Sequence, residues 1–221
     1  MTAFLDFVRD RVLLLDGAMG SQIQARNLSV EKDFWGQENC SEILNLSRPD
    51  LIREIHRGYL AAGADAVETN SFGGSAVTLG EFDLADRTLE INRRAAELAR
   101  EACDSFKGDG RTRFVVGSIG PGTRLPSLGH IDYRSLEDAF AVQAEGLIAG
   151  TADALLIETC QDPLQIKAAI NGSRRAFART GQKLPLMVQV TIETTGTMLV
   201  GTDIAAATVV LDAMGVDTLG L

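Results

Sequence analysis

Three times along the chain, a run whose apolar residues recur at helical spacing passes through a small-residue break into a short, nearly unbroken apolar segment. Residues 48–62 (RPDLIREIHRGYLAA) lead through Gly63 to DAVETN, residues 137–160 (EDAFAVQAEGLIAGTADALLIETC) hold the whole unit, and residues 204–221 (IAAATVVLDAMGVDTLGL) give it again. Helices alternating with strands too continuously apolar to have a wet face are the pattern of parallel sheets, which are covered on both sides. Pro49 and Gly63 sit where a helix starts and stops. The expected strands are 12–16, 65–69, 113–117, 154–158, 186–191 and 216–221, with a long amphipathic helix over 84–104 (LADRTLEINRRAAELAREACD) and a turn at FKGDGR. Periodicity leaves two architectures open. One is the first part of an eight-stranded α/β barrel, and the other is a doubly wound open sheet.

Charge and cysteine content narrow the function. The formal charge is −9 and lysine and arginine form no basic stripe, so nucleic-acid binding lacks its main electrostatic term and a small molecule is the expected partner. The amino-terminal MTAFLDFVRDR carries acids and lacks an apolar secretory core, and no run of eighteen apolar residues occurs. The expectation is a cytoplasmic protein that neither crosses nor binds a membrane. Cys40, Cys103 and Cys160 are odd in number and far apart, which argues against a disulfide framework and against a compact zinc knuckle.

The strand ends carry the chemistry. Asp16 follows the leucines of LLLDGAMGSQ, Glu68 stands in DAVETN and Glu158 in ALLIETC, each at the end of a strand's apolar run, and the carboxyl ends of parallel strands are where ligands bind. Carboxylates gathered in a cleft suit an ammonium group or a catalytic proton. The plainer alternative is that each accepts hydrogen bonds from nearby loop amides. GAMGSQ lacks the full G-x-G-x-x-G spacing of a dinucleotide site. ETNSFGGS (68–75) and GSIGPG (117–122) offer amides and hydroxyls to a carboxylate or phosphate, although Pro121 and Gly122 also suit a simple turn. Asn70 and Ser71 stand at a strand-to-loop handover. His56 and His130 have no ligand-like spacing and read as structural, Met19, Trp35 and Met187 read as packing, and Cys160 is expected near the same rim as Glu158, as a buried or rim-lining thiol.

LLLDGAMGSQIQ, NCSEILNLSRPDLIREIHRGYLAAGADAVETNSFGG, SIGPG, ADALLIETCQDPLQIKAAI and TIETTGTMLVGTDI resemble the amino-terminal, homocysteine-binding module of cobalamin-dependent methionine synthases. The resemblance favours a TIM (β/α)8 barrel, present as its first six β/α units, with residues 1–221 as one homocysteine-binding domain incomplete at its carboxyl end. It implies a methyltransferase of methionine biosynthesis, in which a zinc-activated homocysteine thiolate attacks methylcobalamin. By carry-over, Asp16 and Glu158 contact the amino-acid end of homocysteine, the backbone at Gly17, Ala18 and Met19 receives its carboxylate, and Asn70 and Ser71 line the pocket. The zinc-binding cysteines of that family would fall beyond Leu221. The resemblance therefore implies zinc held outside this segment, a segment inactive alone, and methylcobalamin and 5-methyltetrahydrofolate reached through downstream cobalamin-binding and folate-binding domains. Two alternatives stand beside it: a homocysteine S-methyltransferase using S-methylmethionine or betaine, and a noncatalytic interaction module.

Overall fold

The computed structural model describes residues 2–221. Its helices are α1 (Ala3–Asp10), α2 (Met19–Gln24), α3 (Leu44–Ser47), α4 (Pro49–Ala62), α5 (Ala76–Leu79), α6 (Thr88–Asp104), α7 (Tyr133–Ala149), α8 (Pro163–Thr180) and α9 (Ile204–Ala213). Its strands are β1 (Ala66–Glu68), β2 (Phe114–Ile119), β3 (Ala154–Cys160), β4 (Leu186–Val190) and β5 (Thr218–Gly220). All strand pairs are parallel and the order is β1-β2-β3-β4-β5. A doubly wound sheet reverses its order partway, so this sequential order removes that alternative. The sheet is open. Among the described residues β1 and β5 are its edges, and five strands stand where six were expected, without closure into an eight-stranded barrel. No helix among the described residues is long and apolar enough to cross a membrane.

The missing sixth strand is the leucine run. Residues 12–16 form no strand of the sheet. Leu13 and Leu15 turn toward the cluster around Phe4 and Phe114, while Val12 and Leu14 are 92% and 57% exposed. The run lies beyond β1, at the edge, so among the described residues nothing covers its outer face.

A repeated aspartate sets the register. Asp65, Asp153 and Asp217 directly precede β1, β3 and β5 in GADAVE, TADALL and GVDTLG. Each donates its N–H to a carbonyl on the preceding segment, those of Leu14, Val115 and Leu186, at 2.8 Å in every case. Each carboxylate then accepts from the N–H of the same residue, at 3.1, 2.7 and 2.8 Å respectively. Two bonds closing on one residue fix the stagger, and a one-residue slip would turn every side chain to the wrong face.

The alternation of side chains divides the core. Val67, Val115, Ile119, Leu155, Ile157, Leu186 and Val188 face the helices, in the cluster that includes Phe140 and Leu147. Ala66, Phe114, Val116, Ala154 and Leu156 face the other way, onto α1. There Phe4 and Phe7 meet the Phe114 ring edge-on, each at 5.3 Å between centroids. Helix α1 thus seals the amino-terminal half of the inner face with apolar surface, and the carboxyl-terminal half of that face is left for polar groups. Trp35, expected as packing, is instead 46% exposed, with the Arg87 guanidinium 5.5 Å over its ring.

Candidate active site

Continuing the inner-face alternation by two residues on each strand brings β1 to Glu68, β2 to Ser118 and β3 to Glu158. These three, with Asp16 from the edge segment, line one cavity of about 380 Å3. Its walls also include Gly17, Ala18, Met19, Ser41, Glu42, Thr69, Asn70, Ser71 and Phe72. All seven residues carried over from the resemblance (Asp16, Gly17, Ala18, Met19, Asn70, Ser71, Glu158) therefore fall on a single cavity, built from residues 16 to 158 of the chain.

Each acid is held differently. Asp16 accepts the Glu68 N–H with both carboxylate oxygens, at 3.1 Å each, so the edge segment is tied to β1 at the cavity. Burial, together with the Glu158 charge, pushes its carboxyl up to about 7 despite that bond. Glu68 is pushed up to about 8, first by burial and then by the charges of Glu158 and Asp16. Glu158 is also raised by burial, partly offset by the Ser118 hydroxyl, which donates to its Oε1 at 2.6 Å. The cavity lining contains no lysine, arginine or histidine among the described residues. Carboxylates crowded together without a cation hold their protons until something positive enters.

Asn70 and Ser71 line the cavity but spend their side chains on its frame. The Asn70 amide donates to the Ser41 carbonyl at 2.8 Å and to Asn45 Oδ1 at 3.2 Å. The Ser71 hydroxyl donates to the Ser118 carbonyl at 2.7 Å. Gly17 lies against Tyr59, whose ring a Cβ would meet at 3.1 Å, and the Tyr59 hydroxyl donates to the Ala18 carbonyl at 3.0 Å. That contact pins the Gly17–Met19 backbone at the rim. Glu42 and Ser118 were not singled out individually in the sequence. Glu42 lies inside the short 3-10 turn Ser41–Ile43 rather than at a strand end, and accepts the Gly73 N–H at 2.7 Å. Ser118 was visible only as part of a glycine-rich loop, whereas it belongs to β2.

Of the two placements expected for Cys160, buried or rim-lining, the thiol takes the buried one. The pairing of β3 with β4 slips between Ile157 and Cys160, and Thr159 takes φ 58°, an outlying conformation for a β-branched residue. This bulge ends the two-residue alternation. Glu158 stays on the inner face, and Cys160 is turned into the helix-facing core, 1% exposed, with its thiol pushed well above its ordinary range by burial. Cys40 and Cys103 are likewise buried, in separate clusters, with thiols pushed up to about 11. Among the described residues no three histidine, cysteine, aspartate or glutamate side chains are grouped to hold a metal ion. The thiolate set of a zinc site is not assembled from these residues, so no chemical step is routed through a metal. His56 is fully buried, and burial pushes its imidazole down to about 4.

The raised acids make stability depend on pH in a definite direction. A carboxyl that keeps its proton to higher pH when folded than when unfolded leaves stability intact below the unfolded value of about 4, and stability is then lost as pH rises through the folded value. For Asp16 and Glu68 the loss spans roughly pH 4 to 8. Glu68→Gln is therefore expected to raise the thermal midpoint at pH 8 by about 3 °C or more, where 1 kcal/mol corresponds to about 2–4 °C at this chain length. It should leave the midpoint at pH 4.5 nearly unchanged. Melting curves at the two pH values check this, and a variant that gains nothing at pH 8 shows that Glu68 is not strained by burial.

The sequence matches the homocysteine S-methyltransferase family over residues 13–221. It is 50% identical over 220 residues to the methionine synthase of Mycobacterium tuberculosis and 49% identical to that of Mycobacterium leprae. Those alignments cover the whole of this chain, which spans 18% of the length of each of these curated relatives. Among solved structures, the homocysteine methyltransferase MmuM from Escherichia coli superposes in its oxidised form with a TM-score of 0.78, at 23% identity. That match covers 96% of this chain and 74% of the other. The metallated form matches with the same TM-score at 22% identity, covering 97% and 76%.

These comparisons correct the narrower assignment. The matching family is that of homocysteine S-methyltransferases, a description that specifies the acceptor and the transfer to sulfur and no zinc–cobalamin module. The physical reason is that four of the five motifs carrying the resemblance contribute to the walls of one cavity, and cavity walls alone do not specify a methyl donor. The expectation of zinc held outside this domain is withdrawn as well, since the MmuM chain of the same fold is solved in a metallated form. Downstream folate-binding and cobalamin-binding partners are withdrawn with it. This chain covers about three quarters of each MmuM chain and 18% of each methionine synthase it matches, and neither comparison places those two domains on this chain.

Proposed function

The chain belongs to the homocysteine S-methyltransferase family, and on that premise we propose that the acidic cavity is the acceptor site for L-homocysteine in a methyl transfer that yields methionine. The observation that carries this reading is the charge balance of the cavity: Asp16, Glu68 and Glu158 line it, and no protein cation does among the described residues. Such a site asks its ligand to bring positive charge. The α-ammonium of an amino acid supplies it, with Asp16 and Glu158 as the paired acceptors. The amides around Gly17, Ala18 and Met19 take the carboxylate, since the first N–H groups of a helix such as α2 have no acceptor within it.

Asn70 and Ser71 serve by holding the loop that shapes the wall. Glu68, raised by burial and the neighbouring acids, is the group suited to accept the thiol proton once the entering ammonium has drawn off its own. In the transfer the sulfur lone pair forms the new S–CH3 bond. The donor's bond to that methyl breaks, its electron pair leaves with the donor, and the thiol proton passes to the carboxylate. A sulfonium donor such as S-methylmethionine carries its leaving group with it and is the donor adopted here.

Calorimetric titration with L-homocysteine, followed by an assay for methionine formed from homocysteine and S-methylmethionine, tests both halves. Saturable binding and methionine formation are expected. Failure to bind homocysteine overturns the acceptor site. Binding without transfer overturns the donor and leaves the acceptor site standing.

A further inference from the structure

Behind the cavity, on α7, lies a side chain that the proposed reaction does not touch. Gln143 is fully buried, and its Nε2 donates to the Ser71 carbonyl at 2.8 Å, with a longer approach of 3.5 Å to the Ser118 carbonyl. Its Oε1 is buried without a hydrogen-bond partner. Flipping the amide would set that oxygen against two carbonyl oxygens, so the orientation is decided by the surroundings. An orphaned buried carbonyl is costly. If packing alone governed the position, an apolar side chain of similar volume would avoid the cost.

The two carbonyls that Gln143 faces belong to the exits of β1 and β2. These exits are joined again in front: the Ser71 hydroxyl donates to the Ser118 carbonyl at 2.7 Å, and the Ser118 N–H donates to Thr69 Oγ1 at 3.0 Å. Ser118 in turn donates its hydroxyl to Glu158 at 2.6 Å. We propose that Gln143 is a positioning residue for the acidic cavity: its amide clamps the exits of β1 and β2 and so aims the Ser118 hydroxyl at Glu158. The meaning of this for catalysis rests on the acceptor-site reading; the clamp itself does not. Helices α6 and α8 carry clamps of the same kind. The Asn92 amide donates to the Gly74 carbonyl at 2.7 Å, and the Gln165 amide donates to the carbonyls of Pro121 and Arg124 at 2.7 and 3.1 Å. Gln143 is the one among these three whose bonded carbonyls lead in one further step to a cavity acid.

The test follows the Glu158 carboxyl by carbon-13 NMR in the unliganded protein across pH, with Asp16 and Glu68 as the other acids facing it from the edge segment and β1. Ser118→Ala, which removes the donor itself, is expected to raise the Glu158 midpoint by about one pH unit, tenfold in proton affinity. Gln143→Met should move it in the same direction, and the double variant should move it no further than Ser118→Ala alone. If Gln143→Met does not fold, Gln143→Asn keeps a buried amide but is one methylene too short to reach both carbonyls, and the same upward shift is expected. A Glu158 titration unchanged in the folded Gln143 variant, with only a lower melting temperature, overturns the proposal. Homocysteine binding by the wild type is read separately, so its absence would remove the acceptor-site reading without touching the NMR result.

Discussion

Glu158→Gln is expected to weaken L-homocysteine binding by about 30-fold or more, corresponding to the roughly 2–5 kcal/mol lost when one partner of a desolvated charge pair is neutralised. The substitution is nearly isosteric and leaves an oxygen to accept the Ser118 hydroxyl, so the wall keeps its shape while the charge disappears. Asp16→Asn should act in the same direction, and the two should combine less than additively because both carboxylates face one ammonium. Stability should move the opposite way. At pH 8 the unliganded Glu158→Gln protein no longer holds a buried carboxylate beside Glu68 and Asp16, and it should melt higher than the wild type. That opposition of sign separates a ligand-binding acid from a structural one, since a structural acid would lower both affinity and melting temperature. Calorimetry and thermal melts on the same samples read the two effects. Unchanged affinity in both variants would mean that the ammonium is not held here. Affinity in the wild type should also strengthen as pH rises through about 7, because Asp16 must shed its proton to meet the ammonium.

Gly146→Ala should destabilise the fold by about 1–3 kcal/mol, the usual range for overpacking a tight contact. Gly146 lies within α7, where alanine gains roughly 1 kcal/mol in helix propensity over glycine. The neighbours decide against that gain. A Cβ there would sit 2.7 Å from the Leu89 carbonyl oxygen, 2.8 Å from Asn92 Cβ and 3.2 Å from the Arg93 N, and two of those atoms are backbone that cannot swing aside. Gly58, within α4, has nothing within 4 Å of its added Cβ, so Gly58→Ala should stabilise by about 0.5–1 kcal/mol. The same substitution in two helices thus carries opposite signs. Chemical denaturation of both variants checks the pair, and a stabilised Gly146→Ala protein would show that α6 and α7 can separate without cost. Separation would also displace Asn92, whose amide holds the Gly74 carbonyl at 2.7 Å.

Several features were legible before any coordinates. Strand and helix alternation is written locally, and β1 through β5 fall within the expected segments apart from shifts of one to two residues at their ends. The acids were legible for the same reason. A carboxylate ending an apolar run stands at the strand's carboxyl end, and in a parallel sheet all such ends share one rim. Asp16, Glu68 and Glu158 could therefore be gathered on one cavity without knowing a single distance. The glycine-flanked loop after Asp16 was legible with them, whereas a site role for the Gly17–Met19 backbone came from the resemblance alone.

What the sequence could not decide lies in relations between distant segments. Whether LLL at 13–15 is buried depends on a neighbour outside it, and beyond β1 none among the described residues covers its outer face. Whether Cys160 shares a face with Glu158 depends on one bulged residue, Thr159, because a shift of one position inverts everything that follows. Gln143 is 25 and 72 residues from the carbonyls it faces, and in sequence it is only a polar residue in an apolar helix. Composition and local periodicity act through neighbours a few bonds away, so the chain by itself determined its elements and the kind of group at each strand end. Desolvation, register and the reach of a buried amide are sums over atoms that only folding brings together, and they decided which acids hold protons, which cysteine is hidden and what aims the cavity wall.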